Sequence, residues 1–144
     1  MTIRDAHETV VNFLAACRRE DFTVIPTFLA EDIVYHNVGM PVIHGRRAAV
    51  RFLRMLFGRP GTHFDVRIHR IAVNGETVLT ERTDVSIIGP LRFQFWVCGV
   101  FEVSDGEITL WRDYFDFLDI AKAAVRAIVG AMIPRWRPSL AVEG

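Results

Sequence analysis

The chain has no net charge: 17 basic residues balance 17 acidic ones. A protein built to grip nucleic acid carries a basic footprint, so nucleic acid is excluded as the main partner. Arg47, Arg51 and Arg54 share one face of a predicted helix, which reads as a solvated face rather than a phosphate site. Cysteine is scarce. Cys17 and Cys98 make no disulfide framework, and both fall in apolar runs, so they read as buried free thiols of a cytoplasmic protein. No apolar run is long enough to cross a bilayer, and the stretch 120–133 is interrupted by Lys122 and Arg126. The opening "MTIRDAHETV" has no apolar centre and does not resemble a secretory signal. Repeats, low-complexity segments and linkers are absent, so the expectation is one domain over residues 1–144, its tail 134–144 unassigned. There is no Gly-x-Ser-x-Gly elbow and no phosphate loop. His36 and His44 have no carboxylate partner at ligand spacing, so no metal site is expected.

What the chain does have is apolar surface. It is 51% hydrophobic, with a mean hydropathy of +0.23. That excess needs a pocket, a subunit interface or both. Val10, Phe13, Leu14 and Cys17 follow the spacing of one helical stripe, with Asp5 and Glu8 set as a capping box. A short second helix is expected from Thr23 as cap and Pro26 in the first turn. A third, near 46–57, carries Ala49, Phe52, Leu53 and Leu56 and ends at "GRPG". Between them, "IVYHNVGMPVIHG" suits a short strand and a return. From His63 the pattern turns to strands near 64–73, 77–88, 91–103 and 107–116, divided by Asn74-Gly75, Gly89-Pro90 and Ser104-Asp105-Gly106. A last helix is expected near 118–132. Helices, then a meander, then a helix is an α+β layout.

One segment breaks the apolar pattern. "LTERTDVS" at 79–86 puts Glu81, Arg82 and Asp84 in mid-strand. If Gly89-Pro90 is a two-residue loop, Arg82 opposes Val97 and Asp84 opposes Phe95. If Ser104-Asp105-Gly106 is a three-residue loop, Asp113 opposes Val97 as well. One face then carries Arg82, Asp84 and Asp113 among Phe93, Phe95, Val97, Phe101, Trp111 and Phe115. Arg82 and Asp113 would stand about 10 Å apart at the backbone, two strand spacings, within partial reach of a guanidinium. If Asp105-Gly106 is instead a two-residue turn, Asp113 moves to the other face. The strand at 64–73 is expected to bulge near His69-Arg70, because Phe64, Val66 and Ile68 alternate and Ile71 and Val73 resume out of phase.

"YHN" at 35–37, "RTD" at 82–84 and "LWRDYFD" at 110–116, taken together and in order, resemble the limonene-1,2-epoxide hydrolase family. The resemblance covers roughly residues 5–133. It implies the nuclear-transport-factor-like fold, a strongly curved antiparallel sheet with helices on its concave side and a cone-like pocket. It also implies that Asp84 and Asp113 share that pocket. On this resemblance Asp113 is the general base, Asp84 the general acid and Arg82 the bridge between them. Tyr35 and Asn37 hold the attacking water with the base. Phe93, Phe95, Val97, Trp111 and Phe115 are the expected pocket lining. No cofactor is implied; the expected partners are a lipophilic epoxide, water and a second copy of the chain.

Opening an epoxide with water needs an ionised carboxylate and a neutral carboxylic acid at once, so two acids beside one arginine suit the task. Two other readings stand beside it. The same fold hosts isomerase-, dehydratase- and cyclase-like enzymes, whose pattern typically has a basic Asp near the strand where this chain has Asn37. A non-catalytic binder of an apolar molecule is the third. The final helix, with Lys122 and Arg126 on one side and Ile120, Ala124, Ala127, Ile128 and Ala131 largely opposite, is expected to form a lid or wall.

Overall fold

The computed structural model describes residues 3–136, with side chains from residue 6 onward. Helix begins at Ile3, so Asp5 falls inside the first turn rather than at the expected cap, and the tail beyond Trp136 lies outside the described residues. Helix α1 (Ile3–Arg18) buries Val10, Phe13, Leu14 and Cys17 along the expected stripe, with Ala6 and Ala16 beside them. Asp21 organises the next turn by accepting from the backbone N–H and the hydroxyl of Thr23. That capture removes Thr23 from the capping role expected of it. The following helix is a single 3-10 turn (Ile25–Phe28) with no side-chain cap, and Pro26 sits where a missing N–H costs nothing. Helix α2 (Arg46–Phe57) buries Ala49, Leu53 and Phe57 and leaves Arg47, Arg51 and Arg54 exposed.

Six strands form one curved, open sheet: β1 (Leu29–Asn37), β2 (Ile43–His44), β3 (Thr62–Asn74), β4 (Thr77–Ile88), β5 (Leu91–Ser104) and β6 (Glu107–Phe115). Their spatial order is β2-β1-β6-β5-β4-β3. Strands β3 to β6 are the expected antiparallel meander. The sheet as a whole is mixed, however, because β1 runs parallel to β6. Hairpin turns dictate antiparallel pairing only between consecutive strands, whereas β1 reaches β6 after nearly half of the chain has intervened.

Two extra residues decide which face each side chain takes. At His69 the pairing of β3 with β4 shifts by one, so Phe64, Val66 and Ile68 and then Ile71 and Val73 all join the core. The β5–β6 turn differs from the expected three-residue loop. Ser104 pairs with Glu107 around Asp105-Gly106, both at positive φ, a two-residue turn. By itself that turn would put Asp113 on the outer face. A bulge at Thr109 then shifts the register once more: Ile108 opposes Val103, but Leu110 opposes Glu102. Asp113 therefore returns to the inner face, opposite Gly99 rather than Val97. The β4–β5 register is as expected, with Arg82 opposite Val97 and Asp84 opposite Phe95 around Gly89 at φ 56°.

Strand β6 ends opposite Val97 and leaves the edge of β5 unpaired from Leu91 to Trp96. Helix α3 (Phe117–Met132) runs along that edge. Asp119 accepts from the Trp96 backbone N–H at 2.8 Å, and Arg126 donates to the Gln94 carbonyl at 2.7 Å. These bonds stand in for a missing strand and close one end of the curved sheet. The buried face of α3 is Ala123, Ala127 and Gly130, while Ile128, one of the residues expected opposite the charges, is exposed. Asp116 caps α3, accepting from the N–H groups of Leu118 and Asp119. Replacing it in Asp116→Ala should lower unfolding free energy by about 1 kcal/mol, read by urea denaturation.

Candidate active site

Between α1, α2, α3 and the inner face of the sheet lies a cavity of about 330 Å³. Its walls are mostly carbon, from residues such as Leu14, Phe52, Leu56, Phe64, Phe93 and Phe95. Polar side chains reach it at few points: Tyr35, Asn37, Asp84, Ser86 and Asp113. A cavity with a small convergent set of polar groups is the usual form of a small-molecule site.

Two of them, Asp84 and Asp113, meet on Arg82, which is 0% exposed. All five of its N–H donors are used. Nε donates to Asp84 Oδ1 at 3.0 Å, and Nη2 donates to Asp84 Oδ2 at 2.9 Å. Nη2 also donates to Asp113 Oδ2 at 3.0 Å, and Nη1 to Asp113 Oδ1 at 3.1 Å. The remaining Nη1 proton goes to Thr80 Oγ1 at 3.2 Å. Each carboxylate is gripped by two of the donors, which fixes orientation as well as distance. Asp113 Oδ1 accepts a further bond from the Trp111 indole N–H at 2.9 Å.

Strand pairing supplies the neighbours. Parallel β1 places Asn37 beside Asp113 and Tyr35 beside Trp111, and the two rings stack with centroids 4.1 Å apart. The Val38 N–H donates to the Asp113 carbonyl and anchors the end of the strand. Tyr35 and Asn37 lie two residues apart on β1, point the same way and both line the cavity. Burial, then the charge of Asp113, pushes the Tyr35 pKa up, so it remains a phenol with a proton to donate.

Burial also works against the Arg82 charge, but the Asp113 and Asp84 carboxylates outweigh it and hold the guanidinium protonated. The Asp113 pKa is raised, first by burial and further by the neighbouring Asp84 charge, against the pull of Arg82 and the Trp111 N–H. One cation facing two ionised acids would leave a net negative charge in a carbon-walled hollow. One proton shared by the pair leaves none. The arrangement therefore offers a basic carboxylate and an acidic one within a single rigid frame.

All five expected polar residues, Arg82, Asp84, Asp113, Tyr35 and Asn37, are buried together here. Of the expected lining, Phe93, Phe95, Trp111 and Phe115 face the cavity. Val97 does not: it is buried between the longer side chains of Arg82 and Phe115, its partners across the sheet. Helix α3 contributes Ile120 and Ala123 to the wall, as its expected role requires. Cys17 lines the cavity, with burial and then Asp84 raising its pKa, which keeps it a thiol. Cys98 is exposed on the outer face, against the expectation of burial, because even-numbered residues of this part of β5 point outward. Among the described residues no cluster of side chains is arranged to hold a metal ion.

The family model for the limonene-1,2-epoxide hydrolase catalytic domain matches residues 4–126. The chain belongs to the limonene-1,2-epoxide hydrolase family. It is accordingly an enzyme of the epoxide hydrolase class. It is 53% identical over 128 residues to the epoxide hydrolase EphG of Mycobacterium tuberculosis (strain ATCC 25618 / H37Rv), covering 89% of this chain and 85% of that protein. A solved LEH-like epoxide hydrolase of M. tuberculosis superposes with a TM-score of 0.89 at 50% identity, covering 95% of this chain and 96% of the other. A polyketide cyclase-like structure from Xanthomonas campestris pv. campestris shares the fold, at 23% identity and a TM-score of 0.72, over 83% of this chain and 97% of that one.

Within this hydrolase framework, sequence reasoning missed Thr80, Ser86 and the hydrogen-bonding role of Trp111. Trp111 and Asp113 are two apart on one strand, so their side chains share a face, and that spacing was the available signal. Trp111→Phe keeps the ring stack and deletes one bond to Asp113. It should cost about 1–3 kcal/mol of stability in thermal unfolding. Because that bond lowers the Asp113 pKa, losing it should move the acid limb of the activity profile to higher pH.

Proposed function

We propose that the enzyme adds water to a bulky apolar epoxide in one step, giving a vicinal diol with no covalent intermediate and no cofactor. The observation that supports this most is the bridging of two buried carboxylates by one guanidinium at the edge of a carbon-lined cavity. In this reading a water molecule sits between Asp113, Asn37 and Tyr35. Asp113 removes its proton as the water oxygen bonds to an epoxide carbon. The carbon–oxygen bond of the ring breaks, and Asp84 gives its proton to the departing oxygen. The pair ends with its single proton on the other carboxylate, and exchange with solvent resets it. The net charge of the site never changes, so no step creates an ion in the apolar hollow.

The raised pKa of Asp113 suits a base: once ionised, it takes a proton more readily than an ordinary carboxylate. Tyr35 and Asn37 contribute orientation by holding water near the attacked carbon. The enzyme acts as a homodimer in the cytoplasm. Support for a dimer comes from exposed apolar side chains, Leu79, Trp96 and Tyr114 on the outer face of the sheet and Leu118, Val125 and Met132 on α3. A monomer in sedimentation equilibrium refutes that part.

The test is a panel of lipophilic epoxides, limonene-1,2-epoxide among them, in a single turnover in ¹⁸O-water. Label should enter the diol directly; label found first in a protein carboxylate disproves direct attack by water. Asp84→Asn and Asp113→Asn should each lower kcat by about 10²–10⁴-fold. A mere binder would show no turnover in any variant. Asp113 must be ionised to act, so kcat/KM should fall as pH drops, with a midpoint above the ordinary carboxylate value of 3.8.

A further inference from the structure

Gly99 lies in the middle of β5, opposite Thr80 on one side and Asp113 on the other. A glycine there is unexplained by backbone shape, since its φ is outside the left-handed region and any residue could adopt it. A strand interior also disfavours glycine by roughly 0.5–1 kcal/mol relative to alanine. Space supplies the reason. A Cβ on Gly99 would lie 2.5 Å from Arg82 Nη1, 2.8 Å from Asp113 Oδ1 and 2.9 Å from Thr80 Oγ1. All three are the atoms of one hydrogen-bonded unit. The Arg82 side chain leaves β4, folds across β5 over the bare backbone of Gly99, and reaches Asp113 on β6. The neighbours of Gly99 on the same face, Val97 and Phe101, are both filled and buried.

We propose that Gly99 is a positioning residue: its missing side chain is the notch that lets one guanidinium lie between Asp84 and Asp113 and bind both. Thr80 completes the notch by accepting the one Nη1 proton that neither carboxylate takes. The guanidinium is packed on every side, so a methyl group cannot be absorbed by a small tilt. Displacing Nη1 loosens its bonds to Asp113 and to Thr80 together. The catalytic consequence rests on the epoxide-opening role given above; the steric coupling does not.

The experiment is a cycle of Gly99→Ala, Arg82→Met and the double variant, with thermal unfolding of each and steady-state kinetics on limonene-1,2-epoxide for the parent and Gly99→Ala. Gly99→Ala should lower kcat at least tenfold, since a misplacement of about 1 Å can cost about 10²-fold, while KM stays within about threefold. It should also lower the melting temperature. With the guanidinium gone in Arg82→Met, the same alanine should be neutral or raise the melting temperature. If Gly99→Ala alone fails to fold, folding of the double variant carries the same conclusion. The proposal is overturned if kcat stays within threefold of the parent, or if the alanine destabilises both backgrounds equally. Should the parent turn over no epoxide, the proposed reaction fails, and the melting temperatures still decide the coupling.

Discussion

One cation holding two acids is the constraint on which the inner face of this molecule depends. Arg82 has no exposed surface, and every donor it owns is engaged. Removing a charge from such a group leaves its partner buried and uncompensated, a cost of about 3–5 kcal/mol. The network is therefore costly to break. The charge ledger also explains why the carboxylates sit where they do. In the proposed reaction one proton is shared between them, so a proton passes in at one acid and out at the other without the apolar walls facing a net ion.

Placing those groups together is a problem of parity. A strand turns successive side chains to opposite faces, so a single inserted residue reverses everything after it. The meander uses this twice. At His69 the extra residue keeps the apolar side chains of β3 facing inward, and at Thr109 it corrects the parity that the two-residue Asp105-Gly106 turn would otherwise set. Without the bulge at Thr109, Asp113 would join Cys98 on the outside, Tyr114 would turn inward, and Arg82 would face one acid only.

Much of this is legible in the amino-acid order, and the illegible parts have physical reasons. Gly89-Pro90 states its loop length plainly, so the register of Arg82 against Val97 follows from counting. The His69 bulge shows as a jump in apolar phase from Ile68 to Ile71. The Thr109 bulge is hidden because Leu110 continues the even-numbered phase of Ile108, masking the switch to Trp111, Asp113 and Phe115. Turn residues identify hairpins but say nothing about strands that are distant in sequence, so the parallel β1–β6 pairing has no local signature. The residues of the site stand out as "YHN", "RTD" and "LWRDYFD", yet spacing alone left the face of Asp113 open, and only likeness to a family chose it. Thr80 and Gly99 were unreadable for another reason. What they must accommodate is a side chain from a neighbouring position, and demands of that kind appear only when the strands are laid side by side.

The strand order carries one more consequence. Strand β6 is last in the chain but lies in the interior of the sheet, between β1 and β5. During synthesis, the edge of β1 that β6 will fill stays open while β2 to β5 emerge. The β5 side of β6 closes as a local hairpin, but its pairing with β1 is long-range and slower, and an open edge invites pairing with other chains. Asp113, the proposed base, rides on that strand. The proposed site, with Tyr35 and Asn37 on β1 beside Trp111 and Asp113 on β6, is therefore complete only once that long-range gap is sealed.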